Sequence, residues 1–249
     1  MRHEQHEQHE QHDAPGLALQ SFPAGYRALV IGASGGIGRA LLHQLQADPR
    51  CGRALGISRK STPALDFDDA ASIAQAAETL RADGPFDLII NAAGVLHGAF
   101  GLPEKRLTEL NYARLEQTFR ANTFGPALLL AHFIPLLAPG RAVFALLSAK
   151  VGSIGDNRLG GWYAYRASKA ALNMLVKTAA IEVARKQPHA VLVALHPGTV
   201  DTPLSAPFRG AEIGQPPADA AVRMLAVLDG LRAADSGGFF SYTGEALPW

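Results

Sequence analysis

Short, wholly apolar runs alternate along this chain with longer stretches whose apolar residues recur at helical spacing. Arg27-Ala-Leu-Val-Ile-Gly32 is the first run of the kind a buried parallel strand shows. A helical pattern follows over Arg39–Ala47. Arg53–Ser58 reads as a second strand, and Ala70–Arg81 as a helix with Ile73, Ala77 and Leu80 facing inward. Phe86–Asn91 and Arg141–Ser148 read as the third and fourth strands, separated by a long helical stretch, Leu115–Leu137, that begins polar and turns apolar. After Trp162 comes an Ala-rich helix, clear from Arg166 onward, with Leu and Met at core spacing. Ala190–His196 reads as a fifth strand and Phe239–Tyr242 as a short last one. Strands alternating with helices predict an α/β chain: a doubly wound parallel sheet with right-handed crossovers, in three α/β/α layers. No internal repeat or linker divides residues 26–249, so they are expected to form a single domain.

The N-terminal pattern is different. Residues 3–13 repeat His-Glu-Gln three times and end in His-Asp. A period of three suits neither an amphipathic helix nor a strand, and nothing in it can be buried. The sequence therefore predicts a disordered leader over residues 1–25. His3, His6, His9 and His12 could chelate a borderline metal weakly, but a solvated tail is the preferred reading and no metal site is expected.

Composition narrows the classes of partner. With 249 residues, 48% of them hydrophobic, the chain can bury one large core. A formal net charge of +1 gives no reason to expect nucleic acid or an anionic membrane. The one cysteine, Cys51, leaves no internal disulfide and fits a reducing compartment. No apolar run reaches the roughly 18 residues of a membrane span, and the longest, Pro126–Pro139, is interrupted by His132 and Pro135. A soluble cytoplasmic protein is expected.

Chemistry enters at two places. Gly32-Ala-Ser-Gly-Gly-Ile-Gly38 joins the first strand to the first helix. Glycines there let the backbone turn tightly and approach a pyrophosphate, which would rest on the helix N-terminus. Tyr165 and Lys169 are four residues apart, so on a helix they share a face. A phenol beside an ammonium is a usable acid–base pair, because a nearby cation favours the phenolate.

Taken in order, Gly32-x3-Gly36-x-Gly38, Asp66, Asn91-Ala-Ala-Gly94, Asn122, Ser148, Tyr165-x3-Lys169 and Pro197-Gly198-x-Val200-x-Thr202 resemble the short-chain dehydrogenase/reductase family over residues 26–249. Ser153-Ile154, Asp156-Asn157, Gly160-Gly161-Trp162-Tyr163 and Leu247-Pro248-Trp249 are similar to the C-factor-like carbonyl reductases within it. The resemblance implies a Rossmann fold and hydride transfer between a nicotinamide and a carbonyl or alcohol. Tyr165 would be the general acid or base, Lys169 would lower its pKa and bond the nicotinamide ribose, and Asn122 would hold a relay water, although a helix cap or polar contact suits Asn122 as well. Ser148 would orient the carbonyl. Here the chain departs from the family pattern of two successive serines: the second position is Ala149, and counting back from Gly152 puts the catalytic register on Ala149. Ser148 is the chosen candidate, with Ser153 a poorer one.

The resemblance also implies a cofactor site of Gly32, Ser34, Gly35, Gly36, Ile37 and Gly38 for the phosphates. Asp66 and Phe67 would lie against adenine, Asn91, Ala92 and Gly94 along its ribose, and Pro197, Gly198, Val200 and Thr202 at the carboxamide, with Tyr165 and Lys169 completing the site. NAD-selective folds commonly carry an acidic residue after the second strand; this chain has Ser58-Arg59-Lys60. Arg59 could fork onto a 2′-phosphate, so NADP is expected rather than NAD, against the alternative of a surface arginine. The substrate would be a small carbonyl compound, walled by Leu96, His97, Trp162 and a loop from Pro203 to Pro217 that orders on binding. Apolar faces on Leu115–Leu137 and Ala170–Ala184 suggest a homodimer or homotetramer. The displaced serine register keeps open a low-turnover regulatory or signalling protein of the same fold.

Overall fold

The computed structural model describes residues 18–249. Six strands form one sheet in the order β2-β1-β3-β4-β5-β6: β1 Tyr26–Ile31, β2 Cys51–Ile57, β3 Leu88–Asn91, β4 Ala142–Leu147, β5 Ala190–His196 and β6 Phe239–Ser241. Every neighbouring pair is parallel. The helices of the crossovers are α1 Gly36–Ala47, α2 Ala70–Leu80, α3 Tyr112–Phe119, α4 Gly125–Phe133, α5 Tyr163–Ala184, a single turn α6 Gly210–Ile213, and α7 Pro217–Gly230.

The sheet separates two cores. Leu29, Phe144, Leu146 and Leu192 pack with Ile73 of α2, Phe133 of α4 and Leu172 and Val176 of α5. Val30, Ile90, Val143 and Val193 pack on the other face with Leu41 and Leu45 of α1 and Met224 and Leu225 of α7. Because both faces are covered, β3 and β4 are buried at every position. The three-layer doubly wound architecture is the one the alternation predicts. β2 lies on one side of β1 and β3 on the other, which opens a crevice at the C-terminal strand ends where ligands bind in such folds.

Three boundaries differ from the sequence reading. The expected leader over residues 1–25 is too long: residues 1–17, with the His repeat, lie outside the described residues, but Leu19 and Phe22 are buried. Leu19 donates its N–H to the Asp48 carboxylate, and the Arg50 guanidinium donates to the carbonyls of both Leu19 and Phe22. The helix expected over Leu115–Leu137 is broken into α3, a π turn at Arg120–Phe124, and α4. Pro126 has no N–H for the carbonyl of Asn122, four residues earlier, and the helix widens just before it. Finally, α7 has no counterpart in the elements the sequence predicts, and it supplies much of the second core. Among the described residues, no helix is long and apolar enough to cross a membrane.

Candidate active site

Two glycines make the first turn possible. Gly32 has φ +84°, and a Cβ there would stand 2.7 Å from the Ala93 nitrogen. A Cβ on Gly38 would collide with the Gly32 carbonyl oxygen. The loop is therefore closed on itself and on the end of β3, and α1 begins at Gly36 without a side-chain cap. Its first N–H groups have no intrahelical partners, the arrangement that receives an anion.

A groove runs from this loop across the strand ends, lined by Gly32, Ser34, Gly35, Ser58, Arg59, Asp66, Phe67, Ala92 and Gly94. Arg59 lines it and is exposed, as is the next residue, Lys60, and among the described residues neither forms an ion pair. Asn91 is fully buried beneath it; its Oδ1 accepts from the Ala93 N–H at 3.1 Å, while its Nδ2 has no partner. A second pocket adjoins, its wall mostly apolar with Ile37, Leu96, Ser148, Ala149, Val151, Trp162, Tyr165, Pro197, Gly198, Val200, Thr202, Leu204 and Phe208, and with Lys150, Asp156, Arg158, Arg166 and His196 also lining it. The two loops meet where a Cβ on Gly36 would stand 2.6 Å from Thr202 Cγ2.

Tyr165 and Lys169 stand where groove and pocket join. Both are buried, on successive turns of α5. Lys169 Nζ lies 5.8 Å from the Tyr165 ring centre and donates to the Leu147 carbonyl at 2.9 Å. It also approaches Gly94, where a Cβ would be 3.4 Å away. Burial pushes the Tyr165 phenol up to about 12 and the Lys169 ammonium down to about 8. The lysine was expected to lower the phenol's value; in the protein alone, desolvation dominates. Tyr165 is thus held protonated at neutral pH.

Asn122 is drawn inward by the π turn. Its Oδ1 accepts from the Val95 N–H at 2.9 Å, and its Nδ2 donates to the Val95 carbonyl at 2.8 Å and to Ser168 Oγ at 3.1 Å. The side chain therefore ties the loop after β3 to α5, the polar-contact alternative weighed for it.

Ser148 does not stand free for a substrate. Its hydroxyl donates to Asn173 Oδ1 at 2.6 Å, and it is buried. Ala149 instead packs with Tyr165 and Leu96. The register counted from Gly152 is the one the packing follows, with a methyl where the family pattern has a hydroxyl. Ser153, the poorer candidate, is buried and accepts from the Asp156 N–H.

The substrate walls are tied together. Trp162, at φ 53°, caps α5, and its ring lies 6.2 Å from Tyr165 and 4.8 Å from Phe208. His97 Nε2 pairs with the Leu204 carbonyl at 3.1 Å. The loop expected to order on binding is already folded, held by paired hydrogen bonds between Asp201 and Gln215 and between Gln215 and Thr199. Phe208 was not anticipated, and neither was Asn173, although Asn173 follows Lys169 by four residues and so shares its helix face. His196, whose buried Nδ1 has no partner, was missed because it closes an apolar strand. Among the described residues, no group of three His, Cys, Asp or Glu is placed to hold a metal.

Comparisons with known proteins bear on the family and the fold. A family model described as short chain dehydrogenase matches residues 26–212. The C-signal protein of Myxococcus xanthus is 39% identical over 170 residues, covering 67% of this chain and 94% of that protein. A 1-hydroxy-2-glutathionyl-2-methyl-3-butene dehydrogenase from Rhodococcus sp. strain AD45 is 31% identical, covering 89% and 98%. The NADPH-bound carbonyl reductase from chicken fatty liver superposes with a TM-score of 0.77 at 26% identity, covering 92% of this chain and all of that one (100%).

Proposed function

Because this chain belongs to the short-chain dehydrogenase/reductase family, and is therefore an oxidoreductase, we propose that it is an NADP-dependent carbonyl reductase with Tyr165 as its proton donor. The observation that carries the reading is the position of the Tyr165–Lys169 pair, with Lys169 against Gly94 of the groove and Tyr165 on the wall of the adjoining apolar pocket. The residues present fit the cofactor: a Cβ-free cradle at Gly32 and Gly38, an uncapped helix start, and an unpartnered Asn91 amide under the ribose position. When bound, the reduced nicotinamide supplies a hydride to the carbonyl carbon.

The protein's residues do the rest. Tyr165 gives its phenolic proton to the carbonyl oxygen, and a positioned acid of this kind is worth about 10²–10⁴ in rate. Lys169, charged at neutral pH, stabilises the phenolate left behind and reaches toward Gly94 and the ribose. Leu96, Val151, Trp162 and Phe208 exclude water from the carbonyl and favour an apolar substituent. Arg59 and Lys60, without carboxylate partners, favour a 2′-phosphate, and the chicken relative is NADPH-bound. Exposed Met174 and Ile181 on α5 and Phe124 beside α4 support a homodimer or homotetramer.

Titration with NADPH and NADH, followed by a panel of aldehydes, ketones and quinones, tests the reading on wild type and Tyr165→Phe. The expected result is NADPH preference, turnover by wild type, and loss of turnover in the variant with NADPH affinity unchanged. Ala149 favours a second reading, a dinucleotide-binding protein of low turnover. Tight NADPH binding with no oxidation across the panel is its signature.

A further inference from the structure

Glu104 lies in the loop between β3 and α3, sixty residues from the catalytic helix, yet both its polar ends reach that helix. It is 1% exposed. Its Oε2 accepts from the Ala164 N–H at 3.2 Å, and its backbone carbonyl accepts from the Trp162 N–H. Its Oε1 faces Arg114 Nε at 4.0 Å, and neither of those two buried atoms has a hydrogen-bond partner. Arg114, on α3, is anchored in turn by donating Nη2 to the Phe100 carbonyl at 2.9 Å.

The need for this contact follows from how α5 starts. A helix leaves its first N–H groups unpaired, and a Ser, Thr, Asp or Asn at the cap usually answers one of them. Here the cap residue is Trp162, in the left-handed region and without a side-chain cap, a conformation that bulky residues rarely adopt. Glu104 supplies from across the loop what the cap cannot: an acceptor for the second residue of the helix, a negative charge at its positive end, and a hold on the backbone of Trp162. Tyr165 is the next residue after Ala164.

We propose that Glu104 is a positioning residue, which fixes the first turn of α5 and thereby the place of the Tyr165 hydroxyl, with Arg114 balancing its buried charge. It touches neither the glycine loop nor the groove, so its removal acts on turnover and leaves cofactor affinity alone. The inference rests on Tyr165 being the proton donor, so one arm of the test is independent of activity.

The experiment compares wild type with Glu104→Ala, Glu104→Gln and, in case Arg114 left alone prevents folding, Glu104→Ala combined with Arg114→Leu. Amide exchange over residues 163–166 is measured alongside kcat, KM and NADPH affinity. In the alanine variants the Ala164 amide is expected to exchange roughly tenfold faster, the equivalent of about one hydrogen bond. kcat is expected to fall roughly 10- to 100-fold, as for a reacting group displaced by a fraction of an ångström. NADPH affinity stays within about twofold of wild type, and Glu104→Gln, which keeps an oxygen acceptor, recovers most of both losses. An unchanged Ala164 amide overturns the proposal, and so does an equal loss in NADPH affinity or a glutamine variant no better than alanine. If wild type turns over no carbonyl, the reading of Tyr165 fails, and the amide exchange still decides Glu104.

Discussion

Replacing Ala149 with serine restores a hydroxyl at the end of β4, where a methyl now packs with Tyr165 and Leu96. The backbone there is extended, at φ −149° and ψ 141°, which serine adopts freely. The neighbouring hydroxyl, Ser148, is already engaged, donating to Asn173 Oδ1 at 2.6 Å. With Tyr165 as the proposed proton donor, the carbonyl oxygen of a bound substrate would receive one side-chain donor in wild type and two in Ala149→Ser. An ordinary hydrogen bond contributes about 0.5–1.5 kcal/mol net, which sets a floor of roughly 2- to 10-fold. Donors aimed at a developing oxyanion are worth about 10²–10³ in rate, but proton transfer from Tyr165 limits the charge that develops. The expected gain in kcat/KM is thus about 10- to 100-fold for an unactivated ketone and smaller for an aldehyde, whose carbon is more electrophilic. The assay is the initial rate of NADPH oxidation with one substrate of each kind, with Ser148→Ala as control. That control loses a buried hydrogen bond, so it should melt a few degrees lower, about 2–4 °C for about 1 kcal/mol at this chain length, while keeping kcat within about threefold. No gain from Ala149→Ser, together with a loss of more than about 100-fold from Ser148→Ala, would refute the reasoning and return the role to Ser148.

The roles proposed for Tyr165 and Lys169 imply a pH profile. With Tyr165 at about 12, reduction should be flat through neutral pH and decline above about 8 as Lys169 loses its proton; Lys169→Met should abolish that step, and oxidation of the alcohol should rise steadily with pH. The lysine's folded value lies below its usual one, so between about 8 and 10.5 the unfolded chain holds the extra proton and this group's contribution to stability grows with pH. His196 is depressed to about 4, first by burial and then by Lys150. Its neutral form therefore contributes fully above 6.5 and that contribution is lost as pH falls toward 4; melting temperature should drop across that window and drop less in His196→Leu. Arg59→Glu should shift the cofactor preference toward NADH, raising the NADPH Kd by roughly tenfold or more, as expected for losing a charge-assisted contact, with NADH binding little changed by comparison. Parallel titrations of the two cofactors check it.

What could be read from residues alone depended on how much of the chemistry is periodic. β3, β4 and β5 were legible because helices cover both faces and leave unbroken apolar runs. The glycine loop was legible because steric closure at Gly32 and Gly38 admits nothing larger. Leu19 and Phe22 were not, since two isolated apolar residues beside a polar repeat carry no period; their burial depends on Asp48 and Arg50 from another element. α7 was hidden by Pro216-Pro217, which reads as a loop although proline suits the first position of a helix. The helical pattern runs unbroken through Gly125-Pro126, whereas the missing proline N–H splits the segment and turns Asn122 inward. The serine register is the instructive case, because the information was present. Along β4, Phe144 and Leu146 face the α5 side and Val143, Ala145 and Leu147 the other. A period of two continued by one residue sends Ser148 to the side of Leu146, toward Asn173 of α5; Ala149 lies past the strand end, where the chain turns and its methyl packs with Tyr165. Counting hydroxyls selects Ser148, whereas counting faces turns Ser148 into the α5 core and leaves the position beside Tyr165 to the residue after it.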